Sequence, residues 1–143
     1  MINEIYKLWK EKAVGDPDLI KELNEIEGND ELISDAFYKN LEFGTAGLRG
    51  VIGAGTNRMN IYTVGQATQG LSAYVNSTTQ NGVVAIAYDS RIKSEEFAKT
   101  TASVFAANGI KVYIYPELAP TPMLSFAVRR LKCDAGVVIT ASS

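Results

Sequence analysis

Three short polar segments of this 143-residue protein carry the residue types that phosphate chemistry needs. They are the glycine-rich stretch 44–50 with Arg49, the stretch 89–91, and the stretch 140–142 with Ser142. Arginine offers a planar fork of donors that fits a phosphate, and glycine lets backbone amides approach an anion. A serine at a strand-to-helix turn lies where amides and a helix dipole stabilise a bound phosphate. Together the segments indicate a phosphate site.

Each segment also has a purely structural interpretation. A glycine-rich loop with an arginine is often a plain turn, and residues 89–91 can be a turn that leads into a helix with a surface ion pair. The stretch Gly50–Gly55 has the wrong glycine order and context for a dinucleotide fingerprint, so we reject a Rossmann-type cofactor site. Lys93 and Arg58 are interpreted as solvated charges, and Cys133 as a bystander.

The composition excludes several classes of function. The absence of histidine removes Ser-His and Cys-His mechanisms and most zinc sites. Fourteen basic and sixteen acidic residues without a basic stripe argue against nucleic acid and membranes as partners. The N-terminus lacks the features of a signal peptide, and no run approaches the ~18 apolar residues of a membrane span. With one cysteine, these observations favour a cytoplasmic protein.

The first forty residues have helical periodicity. We expect a helix capped by Asn3, a second helix that begins at Asp16-Pro17, and a short helical segment over 32–38. Residues 43–58 contain too many glycines for a regular helix and predict a loop with a short strand. The period becomes helical again after Asn60.

From Val83 onward, short apolar runs alternate with amphipathic helical patterns. Ser94 is expected to cap one helix, which Asn108-Gly109 ends, and Pro120-Thr121-Pro122 opens another. The predicted strands are residues 83–88, 110–115 and 135–140. This order predicts an α/β domain with three α/β/α layers and a mainly parallel (mixed) sheet, preceded by N-terminal helices. Segments 89–91 and 140–142 then follow strands at the same sheet edge, where α/β domains bind ligands.

The order of these motifs resembles the start of the α-D-phosphohexomutases, in the bacterial phosphoglucomutase/phosphomannomutase branch with phosphopentomutase-like members. The motifs are Phe-Gly-Thr-Ala-Gly-Leu-Arg-Gly, Gly-Ala-Gly-Thr-Asn-Arg-Met-Asn, Tyr-Asp-Ser-Arg, Pro-Thr-Pro and Val-Ile-Thr-Ala-Ser. Each is weak alone, but five in this order are specific. The resemblance divides the sequence into an N-terminal helical extension, residues 1–40, and a first domain, residues 41–143, that ends at the phosphoserine loop.

The resemblance implies roles for individual residues. Ser142 falls on the serine that carries the phosphate, and a phosphoserine oxygen there would complete a Mg²⁺ site whose other ligands lie outside this chain. Arg49 falls on the arginine near the transferred phosphate, and Thr45 and Gly47 shape its loop. Two further positions match a motif that supports the phosphoserine loop, namely Asp89 and Arg91.

The resemblance also implies an activity. Such enzymes have four domains around a cleft and move phosphate between the 1- and 6-positions of a hexose phosphate, with a glucose 1,6-bisphosphate-type activator. We expect the phosphosugar to be the partner of the complete enzyme, and the 143-residue chain by itself to be inactive and to self-associate. The family has a histidine where this sequence has Ser143.

Three alternatives stay open at this point. The sugar can be a pentose, as in a phosphopentomutase, because the residues expected to select it lie outside this chain. The domain can be a non-catalytic interaction module with a mutase-like fold. It can also be an anion-binding α/β domain with an unrelated activity.

Overall fold

The fold is described from a computed structural model that covers residues 1–13, 15–41, 48–88, 93–115 and 135–142. Five helices and four strands lie in these ranges. The helices are α1 (Ile2–Lys12), α2 (Pro17–Glu25), α3 (Asp30–Phe37), α4 (Ile61–Thr78) and α5 (Ser94–Ala107). The strands are β1 (Leu48–Val51), β2 (Val83–Tyr88), β3 (Lys111–Tyr115) and β4 (Ala135–Ser142). The helix predicted to open at Pro120 lies outside the described residues.

The four strands form one sheet with the order β1-β4-β2-β3, and every pairing in it is parallel. The α/β prediction is therefore confirmed, and β2 has the predicted bounds. Strand β1 is displaced toward the carboxyl edge, because Leu48 pairs with Ile139, which itself pairs with Tyr88 at the end of β2. The short first strand thus lies beside the ends of its neighbours.

Strand β2 is buried on both faces, as its continuous apolar run predicts. Successive side chains of a strand point to opposite faces. Val84 and Ile86 belong to the main core with Phe97 and Phe105 of α5, whereas the alternate Ala85 and Ala87 are also fully buried. Both faces of β2 are therefore covered, as expected for an inner strand of a layered α/β domain.

Helices α1–α3 have a second apolar core of their own. Leu19, Leu23 and Phe37 are buried in it, and the Tyr6 hydroxyl donates to the Leu23 carbonyl at 2.6 Å. Burial raises the pKa of Tyr6, the nearby Lys10 opposing this effect. The predicted start at Asp16 is confirmed, because its side chain accepts from the Asp18 N–H and Pro17 is the first helical residue.

Two predicted helix caps are wrong. Asn3 lies inside α1, because the helix begins at Ile2, whose side chain already packs against the second core, and Met1 occupies the cap position. Ser94 is the first residue of α5 rather than its cap. Lys93 holds the cap position with φ 69°, and its carbonyl accepts from the Phe97 N–H at 2.9 Å.

The glycine-rich connector, residues 52–59, is organised by the side chain of Asn60. Its Nδ2 donates to the carbonyls of Gly53 and Gly55 at 2.9 and 3.2 Å. Its Oδ1 accepts from the backbone N–H groups of Tyr62 and Thr63 at the start of α4. Asn60 is only 2% exposed, so these hydrogen bonds take the place of those that its side chain would make with water.

The connector in turn docks on the C-terminal end of α3. The Asn57 N–H donates to the Ala36 carbonyl at 2.9 Å, and the Thr56 hydroxyl donates to the Lys39 carbonyl at 2.7 Å. Arg58 forms an ion pair with Asp35. These bonds satisfy carbonyls that a helix end leaves without partners. They join the N-terminal helices to the strand that carries Arg49.

We expect Asn60→Asp to lower the free energy of unfolding by about 2 kcal/mol or more, since it keeps the helix cap but removes both donors to buried carbonyls. The measurement is urea-induced unfolding of both proteins. Asn29→Asp is the matched control, because Asn29 caps α3 only by accepting from the Leu32 N–H, which aspartate can also do. This replacement should therefore change the free energy of unfolding very little. Equal effects at the two caps would contradict the role of the Asn60 amide nitrogen.

Gly55→Ala should destabilise the protein by more than about 2 kcal/mol. Gly55 has φ +129°, and a Cβ there would lie 2.3 Å from the Ala36 carbonyl oxygen. Gly70, on an open face of α4, is the control, because its exchange for alanine should add about 0.5–1 kcal/mol of stability. Thermal and urea unfolding would compare them, and a harmless Gly55→Ala would rule out tight docking on α3.

Candidate functional site

The carboxyl edge of the sheet brings the end of β2 beside β4, the strand that carries segment 140–142. Parallel strands share an orientation, so the ends of β2 and β4 meet at one edge. β2 ends at Tyr88, which pairs with Ile139 three residues before Ser142. Asp89 and Arg91 follow Tyr88 in the sequence, but both lie outside the described residues.

Strand β1 adds Arg49 and Gly50, the described part of the glycine-rich segment, to this edge. Arg49 pairs with Thr140, and Val51 pairs with Ser142. Adjacent strands lie about 4.8 Å apart and each residue advances a strand by about 3.3 Å, which separates the Cα atoms of Arg49 and Ser142 by roughly 8 Å. The backbone positions of the two residues are therefore neighbours across the sheet. Thr45 and Gly47 precede β1 and lie outside the described residues.

Buried apolar contacts hold β1 in this position. Leu48, directly before Arg49, is fully buried in the main core. Gly50 lies so close to Met59 and Leu41 that a Cβ would come within 3.0 Å of the first and 3.1 Å of the second. The Met59 N–H donates to the Val51 carbonyl at 2.7 Å. The backbone can approach Met59 this closely only because residue 50 lacks a side chain.

Sequence reasoning missed the two residues that fix the end of β1, Met59 and Asn60. Asn60 directly precedes a helical period and has Thr63 three residues later, which is the spacing of a reciprocal cap. That signal could have identified its role at the helix. No local pattern marks Met59, because its importance comes from contacts with the distant Leu41 and Gly50.

Lys93 and Arg58 are not simply solvated charges, which corrects the sequence-based interpretation. Lys93 Nζ lies 3.6 Å from Asp18 Oδ2 in the first turn of α2. Arg58 pairs with Asp35, and its side chain is only 18% exposed. Since Lys93 directly follows segment 89–92, its ion pair links the entrance of α5 to the N-terminal helices.

The described residues set limits on cofactors and membranes. In the part of the sequence that the structure describes, no group of three or more histidine, cysteine, aspartate or glutamate residues could hold a metal ion. None of the described helices is long and apolar enough to cross a membrane.

Comparison with known proteins identifies relatives along most of the sequence. Residues 40–143 match the family described as phosphoglucomutase/phosphomannomutase, alpha/beta/alpha domain I. A phosphoglucomutase of Staphylococcus aureus, strain bovine RF122, is 43% identical over 136 residues, which is 95% of this chain and 24% of that protein. No solved structure matches the sequence.

Two other relatives have names that differ from each other. A phosphoglucomutase of Staphylococcus epidermidis, strain RP62A, is 43% identical over 132 residues, covering 83% of this chain and 24% of that protein. A phosphopentomutase of Pongo abelii is 42% identical over 126 residues, covering 81% of this chain and 20% of that protein. The chain thus spans about a quarter of the length of the curated relatives it matches.

We expect Lys93→Gly to be more stable than Lys93→Ala by about 1 kcal/mol, because only glycine adopts a left-handed conformation without steric cost. Both variants lose the ion pair with Asp18, so their difference isolates the effect of the backbone. At Lys99, inside α5, the same comparison should favour alanine by a similar amount. Guanidinium unfolding measures all four variants, and the same sign at both positions would contradict the prediction.

Proposed function

The chain belongs to the phosphoglucomutase/phosphomannomutase family, and from that premise we propose that it is the N-terminal domain of a phosphohexomutase. The enzyme interconverts hexose 1-phosphates and 6-phosphates, such as those of glucose or mannose, through a phosphoserine and a bisphosphorylated sugar. The observation that carries this proposal is the register of β1 and β4, in which Arg49 lies opposite Thr140 and two positions from Ser142.

In the proposed mechanism, Ser142 carries the phosphate between turnovers. A sugar hydroxyl attacks the phosphorus, the bond between phosphorus and Ser142 Oγ breaks, and the hydroxyl proton is transferred, through solvent, to Ser142 Oγ. The bisphosphorylated sugar then returns its other phosphate to Ser142 Oγ by the reverse exchange of bonds. Such in-line transfer depends mainly on positioning and charge neutralisation. The guanidinium of Arg49 offers both, because its fork of donors matches phosphate oxygens.

Two further segments are proposed to assist this exchange. Thr45 and Gly47 shape the approach to β1, which carries Arg49, and Asp89 and Arg91 support the end of β4, which carries Ser142. The buried anchors Leu48 and Met59 support the proposal, because a strand held on both sides keeps Arg49 at a fixed register beside β4. A fixed register avoids reorganisation when charge develops on the transferred group.

Mg²⁺ is proposed as the cofactor of the complete enzyme, where it would neutralise phosphate charge. The described residues do not themselves form a cation site. Ser142 would contribute only a phosphoserine oxygen, and the remaining ligands would come from outside this chain. A glucose 1,6-bisphosphate-type activator is proposed to phosphorylate the serine.

A second candidate is a phosphopentomutase, which moves phosphate between the 1- and 5-positions of a pentose. The similarity to a Pongo abelii protein of that name, at 42% identity, supports this second candidate. Assay of the complete protein with glucose 1-phosphate, mannose 1-phosphate and ribose 1-phosphate would separate these substrates. A non-catalytic module would turn over none of them.

In the complete protein that includes these 143 residues, Ser142→Ala should lower mutase activity by roughly 10²–10³-fold or more and abolish phosphopeptide labelling, because the phosphate acceptor is gone. Coupled assay of the mutase reaction and mass spectrometry of the tryptic peptides measure the two effects. Ser77→Ala, at an exposed position of α4, is the control and should keep full activity. The 143-residue chain alone should show no turnover.

Arg49→Lys in the complete protein tests the second proposed role in the same assay. It retains the charge but not the planar fork, so activity should fall while the phosphate on Ser142 persists. Near-normal activity of Ser142→Ala, or stoichiometric phosphate on another residue, would remove Ser142 from the mechanism. Full activity of Arg49→Lys would contradict the proposed bidentate contact between the Arg49 guanidinium and the phosphate.

A further inference from the structure

Two Asn-Gly dipeptides lie side by side at the amino edge of the sheet, opposite the candidate site. Asn81-Gly82 directly precedes β2, and Asn108-Gly109 ends α5 just before β3. From their different hydrogen bonding we infer that Asn81 is a site of spontaneous deamidation and isoaspartate formation in the folded protein. Asn108, with the same local sequence, is protected by its partners.

The chemistry requires only water and a free backbone amide. The Gly82 nitrogen attacks the amide carbonyl carbon of the Asn81 side chain, forming a new C–N bond and giving its proton to solvent. The original C–N bond of that amide breaks and ammonia leaves, which produces a cyclic succinimide. Water then opens the ring at either carbonyl to give aspartate or isoaspartate. No electrons are transferred, and glycine in the second position has no side chain of its own beside the nucleophilic nitrogen.

At the first dipeptide the reacting side chain is exposed, whereas the Gly82 nitrogen belongs to a buried residue. The Asn81 side chain is exposed, and its backbone has φ 57°. Within the described residues, neither the Asn81 amide nor the Gly82 N–H has a hydrogen-bond partner. The carbonyl of Gly82 accepts from the Lys111 N–H at 2.9 Å, which holds the segment in place without occupying either reactant.

Both reacting groups are occupied at the second dipeptide. Asn108 Nδ2 donates to Gln69 Oε1 at 2.9 Å and to the Val104 carbonyl at 2.8 Å, while Oδ1 accepts from Gln69 Nε2 at 3.2 Å. The Gly109 N–H donates to the Ala106 carbonyl at 3.0 Å. Rotation of the Asn108 side chain toward the Gly109 nitrogen would break these bonds together.

Conversion at Asn81 would affect the first rung of the β2–β3 pairing. Isoaspartate inserts an extra methylene into the backbone directly before Gly82. That glycine is tightly packed, since a Cβ on it would lie 2.7 Å from Val75 Cγ1. The displacement would act on the Gly82–Lys111 hydrogen bond, so the isoaspartyl form should be less stable than the original protein.

The test is incubation of the native 143-residue chain at mildly alkaline pH, followed by peptide mass mapping. Conversion at Asn81 should be at least about tenfold faster than at Asn108, which corresponds to roughly 1.4 kcal/mol in barrier height. Enzymatic methylation of isoaspartyl carboxyl groups provides a second readout of the product. The same protein held unfolded in denaturant should convert both dipeptides at similar rates.

Gln69→Ala should accelerate conversion at Asn108 and leave Asn81 unchanged, whereas Gln66→Ala, at another exposed position of α4, should alter neither. Equal rates at the two dipeptides in the folded protein would overturn the inference. So would a preference for Asn81 that persists in the unfolded state, because local sequence rather than the fold would then explain it. An unchanged rate at Asn108 in Gln69→Ala would also count against it.

Discussion

The position of β1 depends on one buried amide, the side chain of Asn60. Its nitrogen holds the carbonyls of Gly53 and Gly55, and its oxygen caps α4. Because the same side chain serves both segments, the connector cannot change shape without loss of the helix start. Buried polar groups with every bond satisfied specify one arrangement strongly, since any other leaves an unpaired group. The hydrogen bond from the Met59 N–H to the Val51 carbonyl connects β1, the strand with Arg49, to this fixed segment.

The N-terminal helices are part of the same support. Ala54 of the connector is buried among them, and the α3 carbonyls receive the connector's donors. On the other side of the site, Lys93 reaches Asp18 at the start of α2. Each contact is modest, since ion pairs near the surface contribute little individually. Together they join the connector 52–59 and the start of α5 to the N-terminal helices.

Parallel pairing gives the site its geometry and also its dependence on distant parts of the sequence. Arg49 and Ser142 are far apart in sequence but close in the sheet, because β1 and β4 pair although β2, β3 and two helices lie between them in the sequence. Long-range pairing of this kind is intrinsically slow to form. Full burial of Leu48 and Ile139 on the paired strands gives the register its hydrophobic stabilisation.

The amino-acid sequence was enough to predict the α/β class, the bounds of β2, the start of α2 and the family, because these follow from local periodicity, turn residues and ordered motifs. It also singled out the segments for which phosphate chemistry is proposed. The folded structure was needed to show which strand lies beside Ser142, why residue 55 is glycine, and that Asn3 and Ser94 are not caps. Those features depend on contacts between residues remote in the sequence, such as Gly55 with Ala36, and local pattern holds no information about such contacts.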